Sequence, residues 1–219
     1  LAAVFIEDFM PISIVMIKPI PTQFGDPTPE HLRLMNDIPS RFRGALSGIS
    51  VPPPIQDDET LRREMKTLLR HVASPELDPE FCESVDQDMT PAIMQFAQRN
   101  GVEAATDEID DLVDDLKPVI MRLKYKFNTP RPWQVSPSLG TNLRRFVSLS
   151  SQTPSYPSGH AIQAAAACTL LGERHPSAAR ELDRFARSIG LSRLELGVHF
   201  PMDVFAGLKL GREIGRRIA

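Results

Sequence analysis

Beyond residue 57 the apolar positions recur at helical spacing. From Asp58 to Ala73, the residues Leu61, Met65, Leu68, Leu69 and Val72 fall on one face, which predicts an amphipathic helix. Pro79 to Val85 predicts a short helical turn. Thr90-Pro91 reads as an N-cap followed by proline at the first helical position, with Ile93, Met94 and Phe96 inward and Gly101 ending the helix. Between Glu103 and Lys126 the residues Ile109, Leu112, Val113, Leu116, Ile120 and Leu123 share a face, and Pro118 predicts a kink there or a division into two helices. Three more helices are expected over Ala161 to Glu173, Pro176 to Gly190 and Pro201 to Ile218. Together they predict an all-α protein, a helical bundle, in one domain over residues 58–219.

Residues 1–57 read differently. Prolines at 11, 19, 21, 27, 29, 39 and 52 to 54 break any long helix, so this extension is expected to wrap the core as mostly irregular chain with short turns. Its apolar start, Val4-Phe5-Ile6 and Ile12 to Ile17, fits a strap laid on the core better than a strand.

Two of the expected helices are unusually thin. Ala164 to Ala167 and Cys168 line the first, and Gly207, Gly211 and Gly215 recur at four-residue steps along the last. Small residues at that spacing let backbones approach closely. Lys209, Arg212, Glu213, Arg216 and Arg217 interleave with the glycines, which excludes a membrane dimer face. The expectation is a close pair of helices that brings His160 and His199 to one pocket.

Composition narrows the function classes. A net charge of -3 and a pI near 6.0, with basic and acidic residues interspersed, argue against a nucleic-acid binder. No run reaches the roughly 18 uninterrupted apolar residues of a membrane span; the nearest, Leu1 to Ile20, is broken by Glu7, Asp8, Pro11 and Lys18. The reading is therefore of a soluble chain, with a homo-oligomer compatible. It opens at Leu1 and not at Met, which leaves both a cytoplasmic and an exported protein open, the latter with a leader removed before Leu1. Cys82 and Cys168 are too few for a disulfide framework and read as buried or free thiols. One acidic cluster, Asp110-Asp111-Leu112-Val113-Asp114-Asp115, has the carboxylate spacing of Mg²⁺-diphosphate sites. No second acid-rich helix faces it, and a solvated acidic face is the better account.

The candidate chemistry gathers at Tyr156-Pro157-Ser158-Gly159-His160-Ala161. A turn, a hydroxyl, a bare backbone and an imidazole open a helix there, and the first amides of a helix have no internal partner and carry the positive end of its dipole. An oxyanion fits. Lys124, followed after six residues by Arg131-Pro132, adds an ammonium and a guanidinium for a dianion. Ser192-Arg193, followed after five residues by His199 and after three more by Asp203, adds a second guanidinium and a histidine with a carboxylate in reach. Singly, each has an ordinary structural account: surface charge, helix cap, core histidine. Jointly, in this order and spacing, they resemble the three-part signature of the type 2 phosphatidic acid phosphatase superfamily, which also contains bacterial class A acid phosphatases and vanadium-dependent haloperoxidases. The motifs run from Lys124 to Asp203, and residues before about 120 carry none of that pattern.

The resemblance implies roles. His199 attacks phosphorus, Asp203 holds its other ring nitrogen, and His160 protonates the leaving group. Lys124, Arg131, Ser158, Gly159 and Arg193 bind the phosphoryl oxygens of a small phosphomonoester or diphosphate, with no metal or other cofactor. In the haloperoxidase alternative the same pocket holds vanadate on His199. Against that alternative, Thr153 stands where chloro- and bromoperoxidases carry an aromatic residue or histidine, those proteins are much longer, and Ser192 fits the phosphatase pattern better. A third reading, a non-catalytic phosphate or phospholipid binder, has no use for both histidines. Trp133, Phe146, Tyr156 and Phe200 are the expected pocket walls.

Overall fold

The structure, a computed structural model, describes residues 19–40, 42 and 48–219. The apolar strap expected between Val4 and Ile17 lies outside the described residues. Among them there is helix and no strand: α1 (Pro29–Asn36), α2 (Asp58–Ala73), α3 (Pro79–Gln87), α4 (Thr90–Arg99), α5 (Thr106–Phe127), α6 (Gly159–Arg174), α7 (Ala179–Glu195) and α8 (Pro201–Ile218), with a single helical turn at Pro132–Val135 and 3₁₀ turns at Ser136–Leu139 and Leu149–Ser151. None of these helices is long and apolar enough to cross a membrane.

Local chemistry explains most boundaries. Asp57 caps α2 by accepting from the Thr60 amide at 2.7 Å, and proline occupies the first turn of α3, α4 and α8, where its missing N–H costs nothing. The same device builds α1, a helix not expected in the proline-rich extension: Thr28 caps it and Pro29 opens it. At α4 the expected cap is displaced. Thr90 is the first helical residue, and its amide donates to the Asp88 carboxylate at 2.9 Å.

One expectation is narrowed and one corrected. Of the two outcomes expected at Pro118, division does not occur, since α5 is helical from Thr106 to Phe127; beside the interruption, the Gln163 amide of α6 donates to the Val113 carbonyl at 2.8 Å. Nor does Gly190 end α7. A Cβ there would lie 2.9 Å from Val204 Cγ1, so the glycine serves contact with α8, and the helix continues to Glu195 with Arg193 in its last turn.

The core is built around α6, which is buried along nearly its whole length. Helix α8 lies against it along the glycine steps. A Cβ on Gly207 would sit 2.6 Å from the Ser158 carbonyl oxygen, one on Gly211 2.7 Å from Ala165 Cβ, and one on Gly215 2.7 Å from the Ala166 carbonyl oxygen. Backbone contact of this kind tolerates no side chain, since overpacking costs about 1–3 kcal/mol even where neighbours can shift. Helix α7 covers a second face, and α2, α3 and α4 clasp it from outside. Phe96 stacks on Phe185 with centroids 4.3 Å apart, and Phe81 meets the same ring edge-on. Glu195 ties the α2–α3 loop down by accepting from the Glu76 amide at 2.7 Å and the Leu77 amide at 3.2 Å.

Candidate active site

Three chain segments meet where the starts of α6 and α8 approach the end of α5. Ser158 donates its amide to the Asp203 carbonyl at 3.0 Å, joining the two helix starts, and Thr129 receives the Ser155 amide at 3.0 Å on its carbonyl and the Tyr156 amide at 2.8 Å on its hydroxyl. These bonds bring Lys124, Arg131, Ser158, Gly159, His160, Arg193, His199 and Asp203 to one place, all buried except the partly exposed His160.

The hydrogen bonds settle the state of His199. Its Nδ1 lies 3.2 Å from Asp203 Oδ2, and its Nε2 lies 3.0 Å from Arg131 Nη1. A guanidinium only donates, so Nε2 accepts through its lone pair and Nδ1 carries the hydrogen. Burial, with Arg131, Lys124 and Arg193 nearby, holds the imidazole neutral, well below the usual histidine range. Asp203 reaches back from the first turn of α8, where its Oδ2 also accepts from Ser155 Oγ at 2.5 Å and the Phe200 amide at 2.9 Å. Burial pushes its carboxyl up to about 6 against these donors and the nearby cations.

The two arginines are held differently. Arg131 spends Nε on the Thr153 carbonyl at 2.7 Å, Nη1 on the Val198 carbonyl at 2.7 Å as well as His199, and Nη2 on the Ser150 carbonyl at 3.0 Å and Thr153 Oγ1 at 3.2 Å. Burial lowers its pKa to about 9. Arg193 commits only Nη2, to Asp86 Oδ1 at 2.6 Å and Ser150 Oγ at 3.1 Å. Its Nε and Nη1 are buried without an acceptor, and so is Ser158 Oγ. Orphaned buried donors cost free energy unless an acceptor arrives, and an oxyanion is such an acceptor. Lys124 Nζ donates to the Pro154 carbonyl at 2.6 Å and the Ser155 carbonyl at 3.3 Å, leaving a third hydrogen to give. Burial, then Arg131, holds its pKa well below the usual lysine range, as expected for cations crowded together before an anion joins them. Gly159 opens α6; a Cβ there would press on Ile120 Cγ2 at 3.1 Å and approach the Lys124 stem at 3.8 Å.

Several participants were not legible in the sequence. Asp86, in the last turn of α3, accepts from Arg193, from Ser148 Oγ at 2.8 Å and from Ser150 Oγ at 3.2 Å, while its carbonyl lies 3.3 Å from His160 Nε2. An aspartate at the C-terminal end of a helix opposes the helix dipole, the one local sign that a cation elsewhere holds it. Ser155 and Thr153 likewise support Asp203 and Arg131 through contacts no motif announced. The expected walls separate into two kinds. Tyr156 and Phe200 are buried, Tyr156 edge-on to Phe127 with its hydroxyl on the Pro52 carbonyl at 2.7 Å; Trp133 carries the Arg145 guanidinium over its ring at 4.5 Å. The acidic cluster on α5 faces solvent, with Asp114 2.6 Å from Lys117. Among the described residues no group of three or more acidic, histidine or cysteine side chains is placed to hold a metal ion. A cavity of about 600 Å³ between residues 48–55, α2 and α8 contains none of the site residues.

Among the described residues the fold is all-helical, and it gathers three buried cations and two imidazoles at one place, with donors of Arg193 and Ser158 left without an acceptor. Residues 116–218, a little under half of the chain, match the PAP2 superfamily, and the likeness to that superfamily lies in this C-terminal segment. Its fold is similar to that of a bacterial vanadium-dependent iodoperoxidase, with a TM-score of 0.60 and 16% identity over 80% of this chain; the chain spans 53% of that protein's length. A transmembrane PAP2-type phosphatidylglycerolphosphate phosphatase from Bacillus subtilis is similar with a TM-score of 0.49 and 19% identity, over 86% of this chain and 90% of that one. No curated protein matches the chain.

Proposed function

We propose that the protein is a phosphoric-ester hydrolase that works through a phosphohistidine on a small phosphomonoester or diphosphate. The observation that carries this reading is the fixed lone pair of His199 Nε2 beside the unpartnered donors of Arg193 and Ser158. On binding, the phosphoryl oxygens take up Arg193 Nε and Nη1, Ser158 Oγ and the spare hydrogen of Lys124, and draw Arg131 Nη1 off His199. Nε2 then attacks phosphorus, the bond from phosphorus to the leaving oxygen breaks, and the cations stabilise the charge spread over the equatorial oxygens. Asp203 holds the imidazolium character that develops at Nδ1.

His160 gives the leaving oxygen its proton, then takes one from the water that cleaves the phosphohistidine. Alone in the fold, His160 has its pKa pushed down to about 3, chiefly by burial and Arg193. A bound dianion reverses that influence, so the proton arrives with the substrate. The cations supply the charge that Mg²⁺ supplies in other phosphoryl-transfer sites.

The likeness of fold to the iodoperoxidase keeps one second reading. The orphaned donors that fit phosphate fit vanadate equally, with His199 Nε2 to bond it, and bound vanadate would supply activation of peroxide toward halide. Thr153 favours the hydrolase, because its side chain and carbonyl serve Arg131 and do not form an aromatic halide wall. The test is His199→Ala. p-Nitrophenyl phosphate hydrolysis should fall by about 10⁴-fold or more while orthovanadate still binds. Unchanged turnover would remove His199 as nucleophile, and halogenation of monochlorodimedone by wild type with vanadate and peroxide, without phosphate release, would favour the peroxidase.

A further inference from the structure

We propose that Asp86 is a positioning residue of the site, which aims Arg193 and supports His160 on the leaving-group side from the half of the chain that precedes the superfamily match. The inference rests on the hydrolase reading.

Three donors converge on Asp86 Oδ1: Arg193 Nη2 at 2.6 Å, Ser148 Oγ at 2.8 Å and Ser150 Oγ at 3.2 Å. Ser150 Oγ meets Arg193 Nη2 as well, at 3.1 Å. Both hydrogens of Nη2 are thereby engaged, and the guanidinium cannot turn to offer that nitrogen to a ligand. What remains to offer is Nε and Nη1, the two nitrogens without a partner. The carboxylate therefore decides which nitrogens of Arg193 face the phosphoryl oxygens.

The same residue acts on His160 through its backbone. A carbonyl only accepts, so the contact of His160 Nε2 with the Asp86 carbonyl at 3.3 Å places a hydrogen on Nε2. Nδ1 is then the nitrogen left to exchange a proton with the leaving oxygen. The titratable and charged groups that face His160 are the cations Arg193 from α7 and Lys124 from α5, the neutral imidazole of His199 ahead of α8, and Asp86 from α3. The cations oppose its protonation, and Asp86 favours it through both carboxylate and carbonyl.

Asp86 can do this because α3 is tethered independently of the site. Glu195, two residues beyond Arg193 on α7, accepts from the Glu76 and Leu77 amides and lies 3.7 Å from Cys82 Sγ. One short segment of α7 thus sets both Arg193 and the helix that carries its counter-charge. A purely structural ion pair would not discriminate among leaving groups. A residue that aims the acid would.

The test is Asp86→Asn, an isosteric change, assayed on p-nitrophenyl phosphate, whose leaving group departs without a proton, and on a simple alkyl phosphate, whose leaving group needs one. The alkyl ester should lose kcat at least about tenfold more than the nitrophenyl ester, as expected where general acid catalysis contributes about 10²–10⁴-fold. Ser148→Ala, which removes a donor to the carboxylate without touching the ligand, should move the same ratio in the same direction by a smaller factor, and it covers the case in which Asp86→Asn fails to fold. Equal losses on both esters, or none, would overturn the positioning role and leave the hydrolase reading standing. Phosphate release from neither ester by wild type would overturn that reading, and this proposal with it.

Discussion

The two sides of the site are built on opposite plans. On the His199 side, Arg131 gives every side-chain N–H to the protein, Asp203 Oδ2 gathers three donors, and His199 is locked in one tautomer. On the His160 side, Arg193 leaves two nitrogens unpartnered and His160 is open to solvent in part. The difference teaches that these similar-looking arginines have separate tasks. Arg131 builds the site by knitting the Ser150 and Thr153 carbonyls to Val198 beside His199. Arg193 keeps two nitrogens unpartnered, and among the described residues Asp86 is its salt-bridge partner.

Lysine substitutions should separate the two tasks most widely. Arg193→Lys keeps a charge for Asp86 but loses the two unpartnered nitrogens, so kcat/KM should fall by about 10²-fold or more with stability changed by no more than about 1 kcal/mol. Arg131→Lys abandons several buried carbonyls at once, so denaturant unfolding should show a loss of about 2–4 kcal/mol, in addition to lost activity. Equal stability losses in the pair would erase the contrast.

Acid should act through the histidines. His160 titrates in the fold at about 3 instead of its ordinary 6.5, and His199 also lies well below that value. As pH falls from 6.5 toward 3 the unfolded chain takes up protons that the fold refuses, so stability falls across that window. Asp203, raised from 3.8 to about 6, works the other way between those values, because the fold takes its proton first. With two histidines, and the depressed carboxyls of Asp57, Asp86 and Asp183, against the one raised carboxyl, thermal melts should drop on acidification, and His160→Gln should flatten the drop. An unchanged profile in that variant would show that His160 is not held neutral.

The smallest effect is expected at a residue inside the signature. Ser192 Oγ donates to the Ile189 carbonyl one turn back in α7, at 2.8 Å, and makes no other hydrogen bond among the described residues. Ser192→Ala should change kcat less than about twofold and stability by less than about 1 kcal/mol. A large loss of activity would place Ser192 in the site after all.

The legible parts of this molecule were those written in adjacent residues. Pro201 ahead of the apolar face of α8, and the periodic leucines of α2, marked those helices correctly at both ends. Gly190 misled, because a glycine that ends a helix and one that lets a neighbour approach look the same until the neighbour is known. Asp86 stayed hidden for a related reason: it lies 107 residues from Arg193, and its unfavourable place at a helix C-terminal end does not say which cation holds it.

From sequence alone came the helical pattern, the thin faces of α6 and α8, and the cations, hydroxyl and imidazoles suited to an oxyanion, since periodicity and motif spacing are properties of short stretches of chain. Which nitrogens of Arg193 stay free, which tautomer His199 keeps and which carboxylate holds Arg193 were decided only by the tertiary structure. Those outcomes depend on carbonyls and carboxylates delivered from distant helices, and a hydrogen bond depends on where its partner stands in space, whatever the distance along the chain.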